Sequence, residues 1–509
     1  MNSNVFLSNL NVIGSQIILL IGLFIIIFYE ALKPGKKSSY NFSFAATVFT
    51  LFLSIYYSLN YQWDLKDIIY VNIFSADKFS VLLNILIFII GILISFVSLL
   101  YLKHNGRERS EYFIILLFAI YGMITMIQSV DLLMVFICLE IMSISVYALV
   151  AFDKDRVLSQ EAALKYFLLG SFASAFYLLG MALIYGSTGT VNISLIGVHI
   201  AAGNLYRIEI LLAIALIMTG LFFKMALVPF HMWSPDAYQG SPTTITAFMA
   251  TAVKAASFGI FVKIMFVAFS PLIIEMNQAK FSFVETSAMS AITIAWKPII
   301  YWVAILSMII GNMVALSQKN IKRMLAYSSI AHAGYISLGI VAGTEDGFAS
   351  ILFYLIMYSI ITIGAFTVVF LVDQKEENAQ SIDDYKGMGF KYPFYSFILS
   401  VFLFAMVGMP PTAGFTSKFF VFASAIKEGY FFLATIGILT SVYAAFYYLR
   451  VIYYIYMKEA EKEVTPLDLS FFSTIALIAC VIAVLYFGLF PEGLNNITHV
   501  AQKSLISIF

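Results

Sequence analysis

The sequence predicts an all-α polytopic membrane protein of about 14 transmembrane helices, arranged as two inverted five-helix repeats with broken helices 7 and 12. Three observations point there. Apolar runs of about 20 residues recur along nearly the whole chain, each long enough to cross a hydrocarbon layer of about 30 Å. The 509 residues are 61% hydrophobic and 11% charged, where a soluble domain carries roughly 25% charge. Two of the runs are too long for one straight crossing and are interrupted by proline.

The spans fall near 14–32, 43–59, 80–102, 112–128, 131–151, 160–186, 209–239, 242–270, 298–317, 323–343, 348–372, 393–426, 431–457 and 467–490. The first lacks a basic leader and a small-residue cleavage site and is followed by Lys33, Lys36 and Lys37, so it reads as a retained span. The seventh reads FFKMALVPFHMWSPDAYQGSP, with Pro229 and Pro235 inside it. Proline removes a backbone donor and clashes with the preceding turn, so a break is expected. Ser241 and Pro242 then read as N-cap and first helical position of the eighth. The twelfth, GMPPTAGFTSKFFVF, is interrupted by Pro410, Pro411 and Gly414 shortly before Lys418.

The breaks recur five spans apart, and an odd repeat length inverts the second copy in the membrane. This divides the chain into a three-helix segment (1–110), a first repeat of spans 4–8 (111–270), a second of spans 9–13 (271–457), and a last span with tail (458–509). Loops after odd-numbered spans carry 16 Lys and Arg, the opposite loops 7. The richer side is expected to be cytoplasmic, with both termini outside.

Composition also excludes functions. The loops reach only about 25–30 residues, short of the roughly 50 that a soluble domain needs. A net charge of +1 argues against nucleic acid. Cys138 and Cys480 lie inside apolar runs and offer no disulfide, iron–sulfur or zinc pattern. The five histidines, His104, His199, His231, His332 and His499, are scattered without ligand-like spacing, and no glycine-rich dinucleotide fingerprint appears.

The charges inside the spans are the candidate functional residues. Glu140 (VFICLEIMSIS), Lys224 (GLFFKMALVPF), Lys254 (ATAVKAASF) and Lys418 (TSKFFVF) lie deep in apolar helices. Each costs roughly 2.5–3.5 kcal/mol at the bilayer centre, which points to charge movement, with protons as the cargo. A rise of about 1.5 Å per residue puts Glu140 roughly 14 Å and Lys224 roughly 22 Å from the outer surface. Lys254 then lies roughly 18 Å and His332 roughly 14 Å from the cytoplasmic side, and Lys418 roughly 12 Å from the outer end of its span. One layer at mid-depth suits lateral transfer between offset half-channels. Polar stripes at helical spacing accompany it: Glu140, Ser143 and Tyr147; Thr251, Lys254 and Ser257; Ser328, His332 and Tyr335. Such stripes also serve as helix–helix glue. Lys165 follows Glu161 by four residues, so an interfacial ion pair is its plain reading. Lys263 and Arg450 are expected to snorkel to the nearby interfaces.

Five segments together resemble the antiporter-like subunits of respiratory complex I: DLLMVFICLEIMSISVYAL, EAALKYFLLGSFASAFYLLGMALIYG, FKMALVPFHMWSPDAYQGSP, RMLAYSSIAHAGY and GMPPTAGFTSKF. They cover spans 4–13. Lys418 stands where the M-type branch carries glutamate, and no long lateral helix of the L type follows span 14, so the N-type branch is the nearest likeness. The resemblance implies that Glu140 pairs with Lys224 and tunes its proton affinity. It further implies that Lys254 is the central relay, that His332 bridges the half-channels, and that Lys418 exchanges protons with the outer one. Lys165 resembles the family's sixth-span lysine.

The resemblance also implies that no cofactor is bound by this chain, with NADH, FMN, iron–sulfur clusters and quinone in partner subunits. Those partners are other membrane subunits, subunit M on one side and the small subunits K and J on the other, in a bacterial inner membrane. A cation/proton antiporter subunit and a membrane subunit of a related hydrogenase or photosynthetic complex share these motifs and stay open, as does a purely structural subunit.

Overall fold

The computed structural model describes residues 12–32, 39–60, 73–201, 207–269, 287–373, 380–460 and 470–506. Lys33, Lys36 and Lys37, used above for the first span, lie outside them, as do Lys66, Lys280, Lys375 and Lys462 among the loop cations. The described chain is helical, and extended pairing is confined to isolated bridges such as Phe74 with Ser129 and Asn320 with Ser381.

The first six helices are α1 (Gly14–Leu32), α2 (Tyr40–Asn60), α3 (Lys78–His104), α4 (Glu111–Gln128), α5 (Leu132–Val150) and α6 (Val157–Thr188). A short α7 (Ile193–Ala201), not anticipated from the sequence, precedes α8 (Arg207–Met225) and α9 (Trp233–Gly240), the two halves of the broken seventh span. Next come α10 (Thr243–Ala268), α11 (Ser287–Ser317), α12 (Ile321–Ala342) and α13 (Glu345–Val372). The twelfth span is split into α14 (Pro393–Val407) and α15 (Ala413–Lys427), and α16 (Phe431–Met457) and α17 (Phe471–Leu489) follow. An additional amphipathic α18 (Glu492–Ile506) was also not anticipated. Among the described residues 13 helices are long and apolar enough to cross a membrane. The expected fourteenth crossing is the broken pair α14 and α15, each half too short alone.

Helix starts follow local chemistry. Asp77, Asp131, Asn320 and Thr344 each accept from the backbone N–H three residues on, closing donors that a helix start leaves open. Ser241 departs from expectation. It closes α9, its hydroxyl meets Thr246 Oγ1, and Pro242 rather than Ser241 occupies the cap of α10.

Helices α10, α12 and α13 form the centre, almost wholly enclosed, whereas α1, α2, α6, α16 and α17 keep broad apolar faces outward. Close backbone approach builds this core. A Cβ on Gly311 of α11 would come within 2.6 Å of the Ala331 backbone nitrogen on α12, the kind of contact only a small residue allows. Enclosure by protein is what lets α10 and α12 carry polar groups at membrane depth.

Candidate functional site

Lys224 occupies the last turn of α8, 1% exposed. Beyond it Ala226 adopts φ 56°, and the chain unwinds before α9. The freed backbone groups find partners without the lysine. Trp233 Nε1 donates to the Phe223 carbonyl at 2.8 Å, and Val228 N donates to Ser307 Oγ of α11 at 3.0 Å. The Lys224 amine instead donates to Tyr147 Oη at 3.0 Å and lies 5.1 to 5.4 Å from the ring centres of Tyr147, Tyr166 and Phe223. Aromatic faces stabilise a cation without neutralising it.

Lys254, also 1% exposed, follows a π-helical turn, Met249–Val253, a local widening often found at functional positions. Its amine donates to Ser329 O at 2.6 Å and Ser329 Oγ at 2.8 Å. One turn along α12, His332 is 5% exposed and held at both ring nitrogens. Nδ1 lies 2.8 Å from Tyr354 Oη, and Nε2 lies 3.3 Å from Tyr448 Oη, which also meets Ser328 Oγ. His332 lies within electrostatic reach of both Lys254 and Lys418.

Lys418 lies in the second turn of α15, the second half of the broken twelfth span, and folds back on the first half. Its amine donates to Met406 O at 2.9 Å, Val407 O at 2.8 Å and Ser441 Oγ at 2.7 Å, with the Tyr335 ring 5.0 Å away. A positive charge thus sits at the carbonyl end of α14, where the helix dipole is negative. Gly408 turns the chain there at φ 88°, and a Cβ on it would press on the lysine stem at 2.9 Å. Between His332 and this break lies a cavity of about 10 Å³, lined by His332, Tyr354, Tyr358, Met406 and Ser417 among others, room for about one water.

Other expectations fare differently. Glu140 makes no ion pair with Lys224 among the described residues; it is half-buried, and its Oε1 is buried without a partner. Tyr147, two turns along the same helix, takes the amine instead. Lys165 stays 45% exposed and pairs with Glu161 at 2.7 Å, as the plain reading expected, and with Asp236 of α9 at 3.0 Å. Asp236 also binds Arg323 at 2.6 Å.

The snorkelling expected of Lys263 is overturned. Its side chain is 1% exposed and bonded to Asp77 at 3.2 Å, Ser75 at 2.7 Å, Ser80 at 3.3 Å and Ile127 O at 3.1 Å. A buried carboxylate across the helix interface holds the amine instead. Arg450 caps the end of α11 through Leu316 O and Gln318 O at 3.0 and 2.7 Å. Thr251 and Ser257 bond back to their own helix, to Ala247 O and Val253 O.

Sequence reasoning missed Ser329, Tyr354 and Tyr448. Tyrosines deep in an apolar run were the available signal, because a buried hydroxyl needs a partner. Among the described residues no group of three or more His, Cys, Asp or Glu side chains is placed to hold a metal ion.

Broken helices, buried amines and an enclosed polar core define an ion-translocating class of membrane protein. The matching family, described as NADH:quinone oxidoreductase/Mrp antiporter, TM, covers residues 129–292 and 267–444, and the chain belongs to it. Its relatives place it with the N-type branch. It is 37% identical over 498 residues to "NADH-quinone oxidoreductase subunit N" of Trichlorobacter lovleyi, with 97% of each chain covered. It is 40% identical over 450 residues to "NADH-quinone oxidoreductase subunit N 1" of Chloroherpeton thalassium, covering 88% of this chain and 90% of that one. Its fold is similar to a chain of respiratory complex I from Thermus thermophilus with bound aureothin, at TM-score 0.76 and 28% identity, covering 95% of this chain and 98% of that one. The resemblance read from the motifs holds.

Proposed function

We propose that this chain is the proton-translocating subunit N of an NADH-quinone oxidoreductase, and that Glu140, Lys165, Lys224, Lys254, His332 and Lys418 form its relay. One observation carries the assignment of the relay. Among the described residues Lys224, Lys254 and Lys418 are buried without any carboxylate partner, held by hydroxyls, carbonyls and aromatic faces. Burial disfavours a charged amine and a nearby carboxylate favours it. An amine without a counter-ion can therefore load and unload a proton as its surroundings shift. Lys263, locked to Asp77, is the structural contrast.

In this reading Lys165, with Asp236 and Arg323, lies towards the cytoplasmic entrance. Glu140, with a buried oxygen lacking a partner, acts on Lys224 when the two approach. Lys254, His332 and Lys418 carry the proton laterally to the outer half-channel. The units 111–270 and 271–457 are the two inverted repeats, and the presence of one broken helix in each supports that division. NADH, FMN, iron–sulfur clusters and quinone belong to partner subunits, whose redox work drives the relay electrostatically or conformationally. The chain lies between subunit M and the subunits K and J in a bacterial inner membrane, its termini on the periplasmic side.

Lys254→Met in the assembled complex tests the assignment. Protons moved per electron in inverted membrane vesicles should fall while the complex still assembles; an unchanged ratio refutes the relay.

A further inference from the structure

We infer that Tyr448 and Tyr354 are proton-relay residues that make His332 a two-sided carrier between the Lys254 and Lys418 ends of the network, an inference that rests on the relay reading above. At His332 of α12 polar contacts from two other helices, α13 and α16, meet. On one side Tyr448 of α16 touches Nε2 at 3.3 Å and also Ser328 Oγ, the residue beside the Ser329 that holds Lys254. On the other side Tyr354 of α13 touches Nδ1 at 2.8 Å. Tyr354 and His332 both line the cavity that reaches Met406 and Ser417, beside the amine of Lys418. Both tyrosines are almost completely buried, Tyr448 at 0% and Tyr354 at 2%.

A neutral imidazole has one donor and one acceptor nitrogen. With Nδ1 protonated, His332 donates to Tyr354 and accepts from Tyr448. The transfer balances as follows. Tyr448 Oη–H breaks as Nε2–H forms; Nδ1–H breaks as Tyr354 Oη takes that proton; Tyr354 releases its own into the cavity; and Tyr448 is refilled through Ser328. One proton enters at Ser328 and one leaves at Tyr354, with no charge left on the ring. The opposite tautomer that results must be reset before the next transfer, by a ring flip or by reorientation of the two hydroxyls. Until that reset the carrier passes no second proton in the same direction. The charged and titratable groups that face this centre are Lys254, Lys418, Tyr335, Tyr358 and Tyr447.

The test uses the whole complex in inverted vesicles, with Lys254→Met as the control for the relay reading. Phenylalanine keeps the ring contact with Tyr447, whose centroid is 4.4 Å away, and deletes only the hydroxyl. Tyr448→Phe and Tyr354→Phe should each slow proton translocation by about 100-fold, as loss of a positioned proton donor does. 3-Fluorotyrosine at position 448, more acidic with nearly the same shape, should move the alkaline limb of the translocation rate to lower pH. A merely structural tyrosine would leave that limb in place. Wild-type translocation in both phenylalanine variants, with Lys254→Met defective, overturns this inference and leaves the relay reading standing. Normal translocation in Lys254→Met removes both. Should Tyr448→Phe fail to assemble, the fluorotyrosine limb decides, and an unmoved limb counts against the inference.

Discussion

The two broken helices solve one problem in opposite ways. At the first break the backbone is closed by Trp233 and Ser307, and the Lys224 amine spends a single hydrogen bond on a phenol. At the second break the lysine itself closes the backbone, and all three of its N–H donors are taken by Met406, Val407 and Ser441. An ammonium has three donors and a neutral amine two. Lys418 therefore loses a structural bond when it gives up a proton, and Lys224 does not. Under the proposed relay, unloading at the second break would therefore be coupled to the shape of the break, whereas unloading at the first would leave its backbone bonds intact.

The largest effect is expected at a reference site outside both breaks. Asp77→Ala strands the buried Lys263 amine and should destabilise the chain by about 3–5 kcal/mol. Adding Lys263→Met should return most of it, measured by thermal unfolding of the solubilised complex. If the single variant melts like wild type, buried cations here do not need partners and the contrast between the breaks loses its basis.

Next comes Lys418→Met, which orphans the Met406 and Val407 carbonyls at about 1–3 kcal/mol each. Ser441 retains one bond to Val407 and should soften the loss. The melting temperature should fall together with translocation.

Lys224→Met sharpens the comparison from the other side. It orphans no carbonyl, so translocation should fail while stability changes by less than about 1 kcal/mol. A fall in melting temperature equal to that of Lys418→Met would erase the distinction.

The smallest effect concerns the exposed pair that ties the end of α15 to the start of α13. Lys427 lies 2.6 Å from Asp346, whose hydrogen bond raises the lysine pKa above 10.5. A raised folded-state value means the contribution is complete below 10.5 and is lost as pH rises through the shifted value. With both groups well exposed, Asp346→Asn should cost less than about 1 kcal/mol, and high salt should remove the difference. A larger loss, persisting in salt, would show that the second break depends on its surface clamp.

Span count, the two breaks, the buried lysines at 224, 254 and 418 and the mid-helix His332 were legible because each is written locally. Length of apolar run, proline and an ionisable side chain are properties of a few adjacent residues. The partners were not legible. Lys263 looked like an end-of-helix lysine until Asp77, 186 positions away, was found against it. Glu140 looked like the counter-ion of Lys224 until Tyr147 took that place. Tyr354 and Tyr448 lie 22 and 116 positions from His332, and nothing in their own spans announces the meeting. The short α7 and the terminal α18 were passed over because neither carries a run long enough to cross a membrane.

By itself, then, the sequence determined that this protein spans the membrane many times, breaks two of its helices and keeps amines at depth. Those features follow from hydropathy and from the covalent geometry of proline, and no distant residue alters them. The tertiary structure alone decided which amine meets a carboxylate, which one holds the backbone and which rest on hydroxyls and phenols. Counter-charge and enclosure depend on side chains that packing brings together from helices far apart in the chain.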